Sequence, residues 1–150
     1  MSELKQFDDN VFDEDEYETP LFLFEHLKKK YKVFPTLDVA ARESNKKCER
    51  YLTDGLHSEW LKDSWCNPPH TLTEQFVRKA HGEWWRNNIN ILMIIPTNTM
   101  SSKFWHDCIE GIAEYHAVEG RPRFLRYGKP AKFNSRNAYV CVIWRKRNEL

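Results

Sequence analysis

Four consecutive residues, Asn67-Pro68-Pro69-His70, have the types and spacing to hold a flat amine for reaction. Two prolines in succession fix φ at about −65° and push the residue before each into an extended conformation. They also remove two backbone N–H donors, so the loop is rigid and rich in acceptors. At the end of a strand, the side-chain oxygen of Asn67 and the carbonyl of Pro68 can point at one amino group. His70 offers a planar ring to stack on the ring that bears the amine. An amine whose lone pair is delocalised into a ring is a poor nucleophile. Two acceptors on its N–H bonds favour pyramidal geometry and stabilise the positive charge that develops as a methyl group arrives. No strong base is needed beforehand, and the remainder is orientation. The plain alternative is a proline turn that ends a strand.

The elements around the tetrapeptide follow from hydrophobic period and punctuation. Residues 1–16, acidic and without sustained period, are expected to form a loosely ordered leader before a single domain over 17–150. Order is expected from Tyr17-Glu18-Thr19-Pro20, with Thr19 as N-cap and Pro20 as first residue of a helix reaching about Tyr31. A buried strand is predicted over 33–41, running into a small-residue turn. Residues 44–51 fit a short helix or an irregular loop equally. A turn at Asp54-Gly55-Leu56 precedes a short strand over 64–67 that the prolines stop. Helices are predicted over 73–85, capped by Thr73, and over 102–109. The run 89–96, apolar on both faces, predicts a central strand. Further strands are expected over 115–118, 124–127 and 138–144. Trp84-Trp85 reads as core or interface. The alternation predicts an α/β protein with a mixed, mostly parallel sheet flanked by helices and antiparallel pairing near the C-terminus. In such sheets ligands sit beyond the carboxyl ends of the strands, which puts Asp38-Val39-Ala40-Ala41 and Asn67-Pro68-Pro69-His70 at one crevice.

The chain of 150 residues suffices for one core, and 41% hydrophobic with 30% charged residues is ordinary for a globular domain. No apolar run reaches membrane length and the N-terminus does not resemble a signal peptide, so a cytoplasmic protein without a membrane partner is expected. Four scattered cysteines (Cys48, Cys66, Cys108, Cys141) fit free thiols in a reducing compartment. A zinc site through Cys66 and His70 lacks two further ligands at metal-like spacing, and no metal is expected. Net charge is only +1, but its distribution is polarised. Residues 8–18 hold seven acidic side chains and no basic one, whereas 121–147 hold nine Lys or Arg and no Asp or Glu. Such a basic segment suits phosphates, or is a solvated face.

Several segments in order resemble the small phage-type (Dam-like) DNA N6-adenine methyltransferases. They are Tyr17-Glu18-Thr19-Pro20; Leu37-Asp38-Val39-Ala40-Ala41 with Asn45 and Cys48; and Asp54-Gly55-Leu56 with Trp60 and Trp65-Cys66-Asn67-Pro68-Pro69. Ile95-Pro96 with Lys103-Phe104-Trp105-His106, and the stretches 121–125 and 130–133, continue the pattern over most of the chain. The resemblance implies a Rossmann-like methyltransferase fold, S-adenosylmethionine as cofactor and a flipped-out adenine in DNA as substrate. It implies Asn67, Pro68, Pro69 and His70 as the catalytic residues.

Each element also has its own reading. Thr19 and Pro20, at a helix start, can meet the cofactor's carboxylate. Asp38, ending a strand beside Ala40, can hold its ammonium group, or cap a turn. Asp54 is placed to accept from the cofactor's adenine, and Asn45 to reach the ribose or cap a helix. Lys103, Trp105, Arg121 and Arg123 are candidates for phosphate contact. Without a separate recognition domain, sequence reading falls to loops over 71–75, 97–103 and 120–137, on a monomer or a homodimer.

His70 departs from the family pattern, which ends the tetrapeptide with Tyr and in related enzymes with Phe or Trp. Imidazole still stacks, but as a cation it would oppose the charge developing on the amine, so neutral His70 is expected to be competent. Rival readings are methylation of another planar amine (adenine in RNA, cytosine N4, a glutamine side chain) and a non-catalytic DNA-binding module that has kept the fold.

Overall fold

An uninterrupted apolar run at residues 91–95 needs cover on both faces, and the fold supplies it. The computed structural model describes residues 15, 17–131 and 134–147. Its strands are β1 (Leu37–Asp38), β2 (Arg50–Tyr51), β3 (Ser64–Cys66), β4 (Ile91–Pro96), β5 (Glu114–Ala117), β6 (Leu125–Arg126), β7 (Lys129–Pro130) and β8 (Tyr139–Trp144). The α-helices are α1 (Leu21–Tyr31), α2 (Thr73–Asn87) and α3 (Lys103–Cys108). Six strands form one sheet in the order β2-β1-β3-β4-β8-β5. β2, β1, β3 and β4 run parallel, and β8 lies antiparallel between β4 and β5. β6 and β7 form a separate hairpin, joined to the chain at the bridge between Glu18 and Leu125.

Side chains alternate across a strand, so β4 divides its residues between two cores. Ile91, Met93 and Ile95 pack with Val140, Val142 and Trp144 under α2 and α3. Leu92 and Ile94 pack with Cys141 and Ile143 under α1 and Phe124. Helices therefore cover both faces, as the alternation predicts. Trp84 joins the first core, while Trp85 is exposed beneath the Arg147 guanidinium. All four cysteines are free thiols. Among the described residues, no helix is long and apolar enough to cross a membrane.

Several boundaries differ from expectation. The strand over 33–41 contracts to β1, because Pro35 has no N–H for a ladder and the Asp38 carboxylate turns the chain immediately afterwards. The ambiguous segment 44–51 is irregular and ends in β2. α1 begins one residue late: Pro20, not Thr19, is the N-cap, since the Thr19 hydroxyl is used elsewhere. Leu72 takes the N-cap of α2, and the Thr73 hydroxyl donates to the His70 carbonyl at 2.9 Å. α2 runs on to Asn87 and closes on Asn88 in the left-handed region, φ 50°. Of the acidic leader, Asp15 is held against Thr71; the other residues of 1–16 lie outside the described set.

After β1 the chain moves outward to β2, then returns past β1 to β3. The strand order reverses between β1 and β3, and their parallel register, Asp38 beside Trp65, brings both carboxyl ends to one crevice.

Glu83 ties α2 to the segment that leads into β3. Its side chain, 1% exposed, accepts from Trp60 N at 2.6 Å and Asn87 Nδ2 at 3.0 Å, and pairs with Lys79 at 3.2 Å and with Arg86. Burial pushes the carboxyl up, but the Trp60 N–H and the two cations outweigh it and leave it below the ordinary range. A depressed folded-state pKa gives stability that is present above the ordinary carboxylate range and lost as pH falls through the depressed value. Glu83→Ala is expected to lower unfolding free energy by about 2–3 kcal/mol at neutral pH. Urea titrations across pH should show that gap closing in acid.

Candidate active site

β3 delivers Asn67 half-buried at the crevice, with its amide nitrogen already engaged. Asn67 Nδ2 donates to Thr19 Oγ1 at 3.0 Å and to the Tyr17 carbonyl at 3.4 Å. Its carbonyl oxygen accepts nothing from the described residues, so the acceptor end is the one presented. The prolines divide their carbonyls similarly. Pro69 O accepts the Leu72 N–H at 2.9 Å in the single helical turn that follows, whereas Pro68 O takes no backbone donor among the described residues. Asn67 Oδ1 and Pro68 O thus take no donor from the described residues; Asn67 lines the cavity beside it, and Pro68 is buried off that lining.

The His70 ring is held from behind. Its Nε2 lies 2.6 Å from the hydroxyl of buried Tyr139 in a hydrogen bond. Its ring meets Tyr17 edge-on with centroids 5.6 Å apart, and Tyr17 in turn stacks on Phe124 at 4.7 Å.

A cavity of about 330 Å³ opens beside Asn67 and Pro69. Ala40, Ala41, Arg42, Asn45, Asp54, Gly55, Leu56 and Phe76 line it, and Asp15 closes one side. Gly55 is obligatory: a Cβ there would stand 1.9 Å from the Val39 carbonyl oxygen. Small residues let the two loops approach, Leu56 and Phe76 give an apolar wall, and Arg42, Asp54 and Asp15 give charges of both signs. Such a lining fits a zwitterionic nucleoside.

The family model for DNA N-6-adenine-methyltransferase (Dam) matches residues 8–149. This chain belongs to the Dam family. A DNA N-6-adenine-methyltransferase of Escherichia phage T1 is 34% identical over 95 residues, covering 60% of this chain and 39% of that protein. One of Haemophilus phage HP1 (strain HP1c1) is 27% identical over 107 residues, covering 68% of this chain and 61% of that protein. The chain therefore spans less than two thirds of the length of either relative.

In this Dam family chain the predicted site residues separate into groups. Asn67, Pro69, Ala40, Asn45 and Asp54 converge on the cavity. The Asp54 carboxylate is 67% exposed and touches His57 Nδ1 at 2.8 Å. Asn45 Oδ1 accepts the Arg42 N–H at 2.8 Å, so it holds its own loop and turns only its amide nitrogen to a ligand. Asp38 is 3% exposed, and its oxygens accept the Ala40 N–H at 3.2 Å and the Lys47 N–H at 2.9 Å. Burial raises its pKa, opposed by those N–H groups. Asp38 thus caps the turn after β1 and is not among the residues that line the cavity. Buried Thr19 spends its hydroxyl on Asn67, and Pro20 is buried as the cap of α1, so neither faces the cavity. Trp105 is 1% exposed in the first core, which removes it from phosphate contact. Arg121 and Arg123 are exposed and carry no ion pair among the described residues, while Lys103, 82% exposed, pairs with Asp107 at 3.2 Å.

Tyr17, Glu18, Arg42, Tyr139 and Asp15 are residues whose site roles sequence reading missed. Asp15 accepts the Thr71 N–H at 2.8 Å and the Thr71 hydroxyl at 2.6 Å, tying the leader to the turn after His70. Asp15→Ala is expected to speed amide exchange at Thr71 by about tenfold, the worth of one such bond. Hydrogen-exchange NMR on wild type and variant reads this directly.

Proposed function

We propose that this chain transfers a methyl group from S-adenosylmethionine to N6 of adenine in DNA. The observation that carries the reading is the oriented Asn67 amide: Nδ2 is taken by Thr19 and Tyr17, which leaves Oδ1 as the free end of a side chain that lines the cavity. Membership of the Dam family and the names of the two phage relatives support the same chemistry. The sheet order, with antiparallel β8 inserted before edge strand β5, supports a Rossmann-like methyltransferase fold.

When bound, S-adenosylmethionine supplies an electrophilic methyl group on a sulfonium sulfur. Residues of the 330 Å³ cavity would hold it: Asp54 accepts from its adenosine part, Asn45 Nδ2 donates to it, and Leu56 with Phe76 bury its ring. Arg42, already paired with Glu18 at 2.8 Å, is placed for its carboxylate. Asn67 Oδ1 and Pro68 O accept the two N–H bonds of the adenine amine, withdraw its lone pair from the ring and stabilise the charge that follows. The His70 ring, held by Tyr139, would pack against the base. The amine loses its proton to solvent after transfer. N6 in a duplex is not accessible to this loop, so the base must be flipped out. Arg121, Arg123 and Lys103 would take phosphates.

Labelled cofactor incubated with DNA, RNA and protein in parallel tests the substrate class, and label is expected in DNA. Asn67→Ala should cut turnover by about 10²–10³-fold while cofactor affinity stays within about threefold; unchanged turnover would remove the assigned role. A second test concerns His70. His70→Ala, which removes the ring, should lower turnover on DNA by about tenfold while cofactor affinity stays within about threefold. Unchanged turnover contradicts the role.

A further inference from the structure

The tetrapeptide borders a second cleft. A cavity of about 450 Å³ is lined by His70, Gln75, Asn98, Thr99, Phe104 and Asn137, among others, and shares no residue with the first. Three separate elements contribute carboxamides to it. Gln75 comes from the first turn of α2, Asn98 from the turn after β4, and Asn137 from the segment leading into β8.

None of these three side chains hydrogen-bonds to another described residue; Asn137 is bonded only through its backbone N–H, to Ser135 Oγ at 3.2 Å. The hydroxyls beside them are already committed. Thr73 donates to His70 O at 2.9 Å, Thr99 to Pro96 O at 2.7 Å, and Thr71 to Asp15 at 2.6 Å. Glu74 is the one carboxylate among the described residues of the lining, and Arg78 holds it at 3.0 Å. The uncommitted hydrogen-bonding capacity that converges on the cleft is therefore planar and uncharged. Cations in such a place would grip phosphate without reading sequence. A carboxamide has a carbonyl acceptor and an NH₂ donor in one plane, the pattern that pairs with a base edge, most directly with N6–H and N7 of adenine. His70 belongs both to the tetrapeptide and to this lining, so whatever the cleft holds lies next to the reacting base.

We propose that this second cleft reads the DNA bases flanking the target adenine, with Gln75, Asn98 and Asn137 as the residues that set the recognised sequence. The proposal rests on the DNA-methylation reading given above. Gln75 and Asn98 are exposed, so their truncation leaves both cores untouched.

The test maps methylated adenines on DNA of random sequence for the wild-type chain, Gln75→Ala/Asn98→Ala and Asn137→Ala. It also compares kcat/KM on the recognised site with that on sites changed at one flanking base. Cofactor affinity by calorimetry should match wild type, which shows that the fold and the first cavity are intact. Discrimination against one-base changes should fall by about ten- to a hundredfold and the site map should broaden, as expected for the loss of a base-edge contact. Variants that methylate the wild-type sites with undiminished discrimination overturn this inference alone, as does a wild type that methylates adenines without site preference. A wild type that methylates no DNA overturns the functional reading and this inference with it.

Discussion

A carboxamide can offer a neighbouring amine either its NH₂ or its oxygen, and only the oxygen can help an amine become a nucleophile. In this chain the choice is made by two acceptors on a segment that precedes Asn67 by 48–50 positions. Thr19 Oγ1 and the Tyr17 carbonyl both take Asn67 Nδ2, and the oxygen is left to face the crevice. Were Thr19 to cap α1 as its type and position suggest, that anchor would be lost. Pro20 takes the capping position instead, with its carbonyl accepting from Leu23 and Phe24. The orientation of the Asn67 amide therefore depends on the strap before α1.

The strap is held by Glu18, buried between Tyr17 and Thr19. Its backbone exchanges two hydrogen bonds of 2.8 Å with Leu125, and its carboxylate accepts from Tyr127 N at 3.2 Å and Gly128 N at 3.0 Å. Tyr127 and Gly128 form the turn of the β6–β7 hairpin, at φ 53° and 78°. A tyrosine in the left-handed region is strained by roughly 1–2 kcal/mol, and two N–H groups fixed on one buried carboxylate offset that cost. The same carboxylate pairs with Arg42, which lines the cavity. One buried acid thus joins the basic hairpin, the cavity beside Asn67 and the orientation of the Asn67 amide.

Much of this was readable from residue order. The unbroken apolar run of β4, the helical spacing of Phe76, Val77, Ala80 and Trp84, and the alternation of strands with helices fix the layers. The rule that ligands gather beyond strand carboxyl ends points to the cavity that Ala40, Ala41, Asn67 and Pro69 line, whereas Asp38, Val39, Pro68 and His70 of the same two segments lie off its lining. What escaped are long-range polar contacts. Asp38 at a strand end looks like a ligand until its two backbone donors and its burial are seen. Trp105 and Phe104 both turn inward from a helix of six residues, as the apolar residues of that segment lead one to expect, and burial outweighs the phosphate-contact reading of Trp105. Asp15 sits in an acidic run where nothing local distinguishes the one carboxylate that reaches Thr71. Glu18, for the same reason, gives no local sign that it is buried.

The central claim is that an oriented asparagine oxygen and a proline carbonyl activate the exocyclic amine of adenine in DNA. It is tested most directly by mass spectrometry of nucleosides from unmodified DNA incubated with the purified chain and S-adenosylmethionine. The account predicts N6-methyladenine as the new nucleoside. N4-methylcytosine in its place, or no methylated nucleoside from a folded protein that binds the cofactor, would contradict it.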